Sequence, residues 1–363
     1  MPDLFDYLSW RGDLSLEQAP FCPVDGLILS VLSYVHLDGL VPAGPSSSVP
    51  LGRTAADYLA LPASDRGRCR CEKDLDLLRA LAAAPRFAAM ELTCGADRFV
   101  PEEQLQFAAL TVLPGDGTAF LAFRGTDATL VGWKEDFNMS FLDVVPAQRE
   151  AARYAAALAA AFPGPLRLGG HSKGGNLATF AAALCPMGAR DRIRAVYSFD
   201  GPGHTAYLLA QPGYQELLTR IHTYVPQSSV VGMLLEHEGP YTVVRSDQAG
   251  LLQHDPYSWQ VSGGDFVRLD EVTAGSRMVD RALKDWLAGL TPAERETVAD
   301  TLYGLLSAGD AALVEEALRP QNLAASLRAL KRAPGRDLLT LTASLGRLIA
   351  AAARAVREPG GEG

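Results

Sequence analysis

The residue best placed by its neighbours to do covalent chemistry is Ser172. It sits in Leu166-Arg167-Leu168-Gly169-Gly170-His171-Ser172-Lys173-Gly174-Gly175-Asn176-Leu177-Ala178. This is an apolar run, then a Gly-His-Ser-Lys-Gly turn, then a stretch of small and apolar helix formers. Gly-x-Ser-x-Gly has a mechanical reason. The serine occupies a strained strand-to-helix turn, and its flanking positions must lack Cβ atoms so that strand and helix can close on each other. Its hydroxyl is then lifted clear of the sheet at the positive end of a helix. The pentapeptide alone is weak, because Gly and Ser are common. The apolar run before it, the Ala/Leu/Phe helix after it and the extra glycines on both sides supply the context. The chemistry such a serine suits is nucleophilic attack on an ester or related acyl bond. The competing reading is a glycine-rich turn of a non-catalytic relative.

A second stretch lies one helix upstream: Ala122-Phe123-Arg124-Gly125-Thr126, followed by Trp133-Lys134-Glu135-Asp136-Phe137. With the Ser172 turn, it resembles the α/β-hydrolase superfamily and, within it, the class 3 (fungal-type) lipase branch. The resemblance implies an α/β-hydrolase sandwich with a mostly parallel central sheet. It also implies an oxyanion hole built from the backbone N–H groups of Thr126 and Lys173, where two preorganised donors would contribute about 3 kcal/mol each. The plain alternative for Thr126 is a helix N-cap. The segment Asp127 to Phe137 corresponds to the lid of those lipases, with Leu130, Val131 and Trp133 as its apolar side chains; the alternative is a surface loop with one packed Trp. More widely, the chain resembles a bacterial group of uncharacterised proteins, the Mbeg-like family, over roughly residues 1–265. That resemblance rests on Asp6-Tyr7-Leu8-Ser9-Trp10-Arg11-Gly12-Asp13-Leu14, Ser198-Phe199-Asp200-Gly201-Pro202-Gly203, the run from Tyr224 to Leu234, and Gln253-His254-Asp255-Pro256-Tyr257-Ser258-Trp259-Gln260.

A serine nucleophile needs a base, and the base needs an orienting acid. The order along the chain in this fold is Ser, acid, His. His204 follows too soon after the strand ending at Phe199, His222 falls inside a strand, and His237 in Glu-His-Glu reads as a solvated loop. His254, on a loop after the last core strand, is the expected base. In class 3 lipases the acid would follow the strand Ile221 to Val225, yet Pro226-Gln227-Ser228-Ser229 holds no carboxylate there. Asp200, at the end of the preceding strand, is the expected replacement, with Ser228 or Ser229 as a weaker way to orient the imidazole. Asp255 would point away from His254, and Asp247 reads as a turn residue. His171 reads as structural, and Lys173 either meets an anionic substrate group or faces solvent.

These residues need elements to hold them. Asp25 to Tyr34 is a buried helix or strand, and Asp74 to Ala84 a helix closed by Pro85. Phe107 to Val112 and Ala119 to Phe123 flank Pro-Gly-Asp-Gly as a hairpin. From there, strands at Leu166–Gly169, Ile193–Phe199, Ile221–Val225 and Tyr241–Arg245 alternate with helices at Ala147–Phe162, Gly175–Leu184 and Tyr207–Leu218. Such alternation predicts a parallel-rich sheet covered on both faces. From about Thr273 the chain is nearly all helix formers, with Thr291-Pro292-Ala293-Glu294 as a helix start. The expected organisation is a hydrolase domain over 1–265 and a helical appendage over 266–363, of about four helices.

Of 363 residues, 48% are hydrophobic and 21% charged, with a net charge of −9. That suits a globular chain and argues against a nucleic-acid partner, which would need a basic stripe. It also means that an enzyme of lipid surfaces would have to rely on apolar contact. The five cysteines offer one close pair, Cys69 and Cys71, either half a metal site or two unpaired thiols; no second pair at zinc spacing follows. The N-terminus lacks the basic and apolar regions of a signal peptide, and no run reads as a membrane span. The expectation is a cytoplasmic protein acting on a small-molecule or lipid ester, needing neither a metal nor an organic cofactor. The same serine would also serve an acyltransferase, and a scaffold that had lost its acid would serve only to bind partners.

Overall fold

The computed structural model describes residues 1–67, 69–309, 311–317 and 319–357. Eight strands carry the site: β1 Val49–Pro50, β2 Glu91–Val100, β3 Leu105–Leu113, β4 Ala119–Phe123, β5 Leu166–His171, β6 Ile193–Phe199, β7 Ile221–Pro226 and β8 Tyr241–Val244. They lie in one sheet in chain order, and a ninth short strand, Arg268–Leu269, pairs with β8. β4 through β8 are mutually parallel, while β1 to β4 and the last strand pair antiparallel. The protein is therefore mixed α/β, with a central sheet that is parallel in the half bearing Ser172.

The period-2 alternation of strand side chains sorts the core into two layers. In β4, Phe120 and Ala122 join Leu27, Ile28, Leu78 and other residues of the N-terminal helices. Leu121 and Phe123 on the opposite face join Ala151, Leu158, Leu177 and Ala181 from helices Pro146–Ala161 and Lys173–Leu184. β6 divides likewise, Tyr197 and Phe199 to one layer and Val196 to the other.

The apolar run at Asp25 resolves as the helix Pro23–Leu32, buried along nearly its whole length. Proline at its first position and the Asp25 carboxylate accepting from Cys22 N explain why it is not a strand. The predicted single helix Tyr207–Leu218 is instead two, Ala206–Leu209 and Pro212–Leu217, because Pro212 cannot continue a preceding turn. β2 had no counterpart in the sequence reading. It is bulged between Thr93 and Ala96, and its outer half is solvent-exposed, so it lacks a clean alternation.

Beyond the sheet come helices Ala274–Ala288, Pro292–Leu306, Val314–Ala317, Pro320–Arg332 and Gly335–Arg357. Thr291 and Glu294 form the expected reciprocal cap. One correction concerns the membrane: Gly335–Ala355 is long and apolar enough to cross one by length and composition. Spanning would set Arg347, near the middle of that stretch, in hydrocarbon, at about 2.5–3.5 kcal/mol.

Candidate active site

The turn at Ser172 is what the glycine spacing demands. Ser172 has φ +58°, left-handed backbone that a serine adopts only under constraint. A Cβ at Gly170 would strike the Gly174 carbonyl carbon, and one at Gly174 would strike the Phe123 carbonyl oxygen. The strained residue is held from the neighbouring strand by Ser172 N–H donating to Phe199 O at 2.9 Å. Ser172 is half-buried and opens onto a cavity of about 410 Å³.

His254 lines the same cavity. It ends a short 3-10 turn, Gly250–His254, and its Nδ1 lies 2.6 Å from Asp200 Oδ2. Asp200 closes β6 with φ +50° and is buried, 1% exposed. Its other oxygen, Oδ1, accepts from Ser229 Oγ and from Gly232 N–H at 3.1 Å. The Ser228–Ser229 region, weighed as an alternative orienter, thus has a different place: Ser229 supports the carboxylate. Ser229's carbonyl in turn accepts from Ser276 Oγ of helix Ala274–Ala288, which ties the C-terminal helices to this loop.

None of the other histidines lines that cavity among the described residues. His171 is buried, and burial, with His254 beside it, holds its imidazole well below the ordinary value and therefore neutral. Its Nε2 faces His254 O at 2.8 Å and its Nδ1 faces Tyr34 Oη at 3.0 Å. Because a carbonyl can only accept, Nε2 carries the proton and Nδ1 accepts from the tyrosine. His171 therefore fixes the main chain at His254. His204 is buried against Asn176 and pushed down to about 3 by burial. His222 stacks on Tyr197 in β7. His237 is not solvated as the sequence suggested: it is half-buried, with Nε2 2.7 Å from Gly232 O. Asp255 turns away to Arg70 and Lys73.

Thr126 and Lys173 both line the cavity. Lys173 begins the helix after the turn, so its backbone N–H has no intrahelical acceptor. Its side chain corrects the sequence expectation: it faces neither substrate nor solvent. It is buried, with Nζ donating to Glu135 Oε2 at 2.9 Å, Gln106 Oε1 at 2.7 Å and Gln106 O at 3.0 Å. Glu135 also accepts from Ala147 N–H and Gln106 N–H. Thr126 is not an N-cap; Thr129 caps helix Leu130–Asn138, and the Thr126 hydroxyl donates to Asp136 at 2.7 Å. Burial raises the Asp136 carboxyl to about 6. Neither the Lys173–Glu135 pair nor the Asp136 contact was assigned from sequence, although Asp136 stood in the quoted Trp-x-x-Asp stretch.

The helix at the lid position is anchored from beneath by Glu135, and Leu130 and Val131 are buried. From above it meets the C-terminal segment: Lys134 pairs with Asp300 at 2.7 Å, and Leu130 N–H donates to Ala312 O. Trp133 remains 43% exposed at the cavity. Its apolar wall comes from Trp133, Met139, Val231, Leu234, Leu235 and, from the C-terminal helices, Leu287. All five cysteines are free thiols. The cluster that could gather around a metal, His36, Asp38 and Asp97, contains neither Cys69 nor Cys71, and Arg124 already pairs with Asp97 in it.

A family model described as Mbeg1-like matches residues 81–304, more than half of the chain. No curated protein matches the sequence. Among solved structures, the lipase propeptide complex of Rhizomucor miehei is similar at 15% identity and a TM-score of 0.37, over 56% of this chain and 67% of that one.

Proposed function

The chain belongs to the Mbeg1-like family, and from that membership and the geometry around Ser172 we propose that it is a serine hydrolase of the α/β-hydrolase type, cleaving carboxylic esters through an acyl-enzyme. One observation carries the reading: Ser172, on its strained turn, shares a cavity with His254, whose Nδ1 lies 2.6 Å from the buried Asp200.

The proton inventory follows from the donors. Asp200 accepts from Ser229 and Gly232 on Oδ1, so its Oδ2 accepts the Nδ1 proton of His254. That leaves the Nε2 lone pair to take the Ser172 proton as Oγ attacks the acyl carbon. The oxyanion that forms is met by the backbone N–H groups of Lys173 and Thr126. His254 then gives its proton to the leaving alcohol, and a water activated by the same imidazole releases the acid and restores Ser172. While Asp136 is ionised, the Thr126 hydroxyl proton is committed to it, so the backbone is the donor that matters at Thr126. The apolar wall suits an acyl chain, which makes a small-molecule or lipid ester the substrate class.

The test is labelling of the folded protein with a fluorophosphonate, alongside a panel of chromogenic esters of graded chain length. An adduct on Ser172, absent in Ser172→Ala and strongly slowed in His254→Ala, is expected. No adduct on folded protein would leave a binding scaffold. Transfer of the acyl group to an added alcohol in preference to water would make it an acyltransferase.

A further inference from the structure

The last two helices turn an apolar face outward. On Pro320–Arg332, Leu323, Leu327 and Leu330 recur one helical turn apart and are 43%, 61% and 37% exposed. On Gly335–Arg357, the buried side is Leu341, Ser344, Ala351 and Ala355, with Trp286 donating to Ser344. The opposite side carries Leu339, Leu345 and Ile349, which are 71%, 47% and 70% exposed. A surface helix ordinarily turns its apolar stripe inward; here, apart from Leu341, small residues face in, while Leu339, Leu345 and Ile349 face out.

Charge says what covers that face. Residues 320–355 hold six basic side chains and one acid, Asp337, a net +5 in a chain of −9, which leaves −14 on the remainder. At about 100° per residue, Arg336, Arg347 and Arg354 fall along one edge of the exposed apolar side. Among the described residues, Arg336 pairs only with its neighbour Asp337, at 3.8 Å. Arg347 and Arg354 also touch Glu294 and Asp285. Arg328, Lys331 and Arg332 form no ion pair within 4 Å among the described residues, although Arg328 and Arg332 line a cleft that Asp300 and Asp337 also line. A two-fold dimer through this face would set +5 against +5. A surface both apolar and anionic meets the leucines and the cations together.

We infer that helices Pro320–Arg332 and Gly335–Arg357 dock the protein, lying in plane, on a bilayer of anionic lipid. Leu323, Leu327, Leu339 and Ile349 enter the acyl boundary, and Arg328, Lys331 and Arg336 sit at phosphate level. The packing of Gly335–Arg357 on Trp286 through its small face holds it flat. The inference stands apart from catalysis, since it uses no residue of the Ser172 site.

The test is flotation of the full chain with vesicles of equal phosphatidylglycerol and phosphatidylcholine, against phosphatidylcholine alone. Binding to the anionic vesicles, at least about tenfold weaker on the neutral ones and weakened by salt, is expected. The triple variant Arg328→Gln, Lys331→Gln, Arg336→Gln should bind about a hundredfold more weakly. Leu327→Asp with Ile349→Asp should not float. Both variants should keep the wild-type melting temperature and Ser172 labelling, which separates loss of docking from loss of fold. Equal binding to both vesicle types, no binding by the wild type, or variants that float like it would overturn the inference. So would a dimer in solution that the double Asp variant dissociates, because a second copy would then cover the face.

Discussion

Asp200→Asn tests the proton inventory more sharply than any truncation, because it keeps size and shape and changes only which atoms donate. Oδ1 accepts two bonds, from Ser229 Oγ and Gly232 N–H. An asparagine that keeps its oxygen there must turn its NH2 group toward His254 Nδ1. Flipping the amide would set NH2 against the Gly232 N–H, donor against donor in a buried site, at a cost of about 1–3 kcal/mol. The unflipped amide wins, so Nδ1 becomes an acceptor and the imidazole proton moves to Nε2. A protonated Nε2 cannot take the serine proton. The expected fall in kcat is about 10⁴-fold, or about 5.5 kcal/mol, with KM little changed. Hydrolysis of a soluble short-chain ester and the rate of fluorophosphonate labelling should fall together, while melting temperature holds. A variant that keeps kcat within about tenfold of wild type would refute the assignment of Asp200 and the tautomer argument with it.

Lys173→Met leaves Glu135 buried without its cation, a loss of about 3–5 kcal/mol that thermal melts would read; pairing it with Glu135→Gln should restore most of it. Asp136 gives a pH signature. Its folded value, about 6, lies above its ordinary one, so its stabilising share is present in acid and lost as pH rises through 6, where the buried charge costs up to about 3 kcal/mol. Asp136→Asn should therefore melt higher than wild type at pH 7.5 and level with it near pH 4; equal melts at both would refute the shift. Leu287 lines the cavity from the C-terminal helices. Leu287→Trp should move the ester-length optimum to shorter chains and Leu287→Ala to longer ones, and an unchanged profile would remove it from the acyl wall.

What could be read without coordinates was what sterics impose locally. The glycines around Ser172 announce a strand-to-helix reversal because no other residue fits, and β4 to β7 were placed to within two residues at either end. The approach of Asp200 and His254 was readable from chain order and strand ends. What could not be read depends on how distant elements face each other. The partners of Lys173, Glu135 and Gln106, are set by which side of Leu130–Asn138 packs on the turn. Ser229 looked like a substitute for a missing acid, and only the fold around Asp200 turns it into a support. His237 sat in an acidic stretch that suggested water, yet Gly232 O claims it.

The two strained residues of the site, Ser172 and Asp200, belong together physically. Each ends a parallel strand, β5 and β6, in left-handed backbone, and each is stapled by its own N–H to the next strand: Ser172 to Phe199 O, Asp200 to Tyr224 O. Such backbone costs of order 1–3 kcal/mol per residue and persists only where its surroundings overdetermine it. Parallel register supplies that: the last residues of β5 and β6, His171 and Phe199, pair with Phe199 and Tyr224, and the carbonyls of those partners reach the amides that begin the two reversals. Placing hydroxyl and carboxylate at the same edge is thus a consequence of register, with the imidazole brought in by the loop that His171 and Gln253 fasten. Loosening Tyr224 or Phe199 should therefore disturb both reversals at once, and Tyr224→Ala should slow Ser172 labelling even though that side chain lies in the core, away from the cavity.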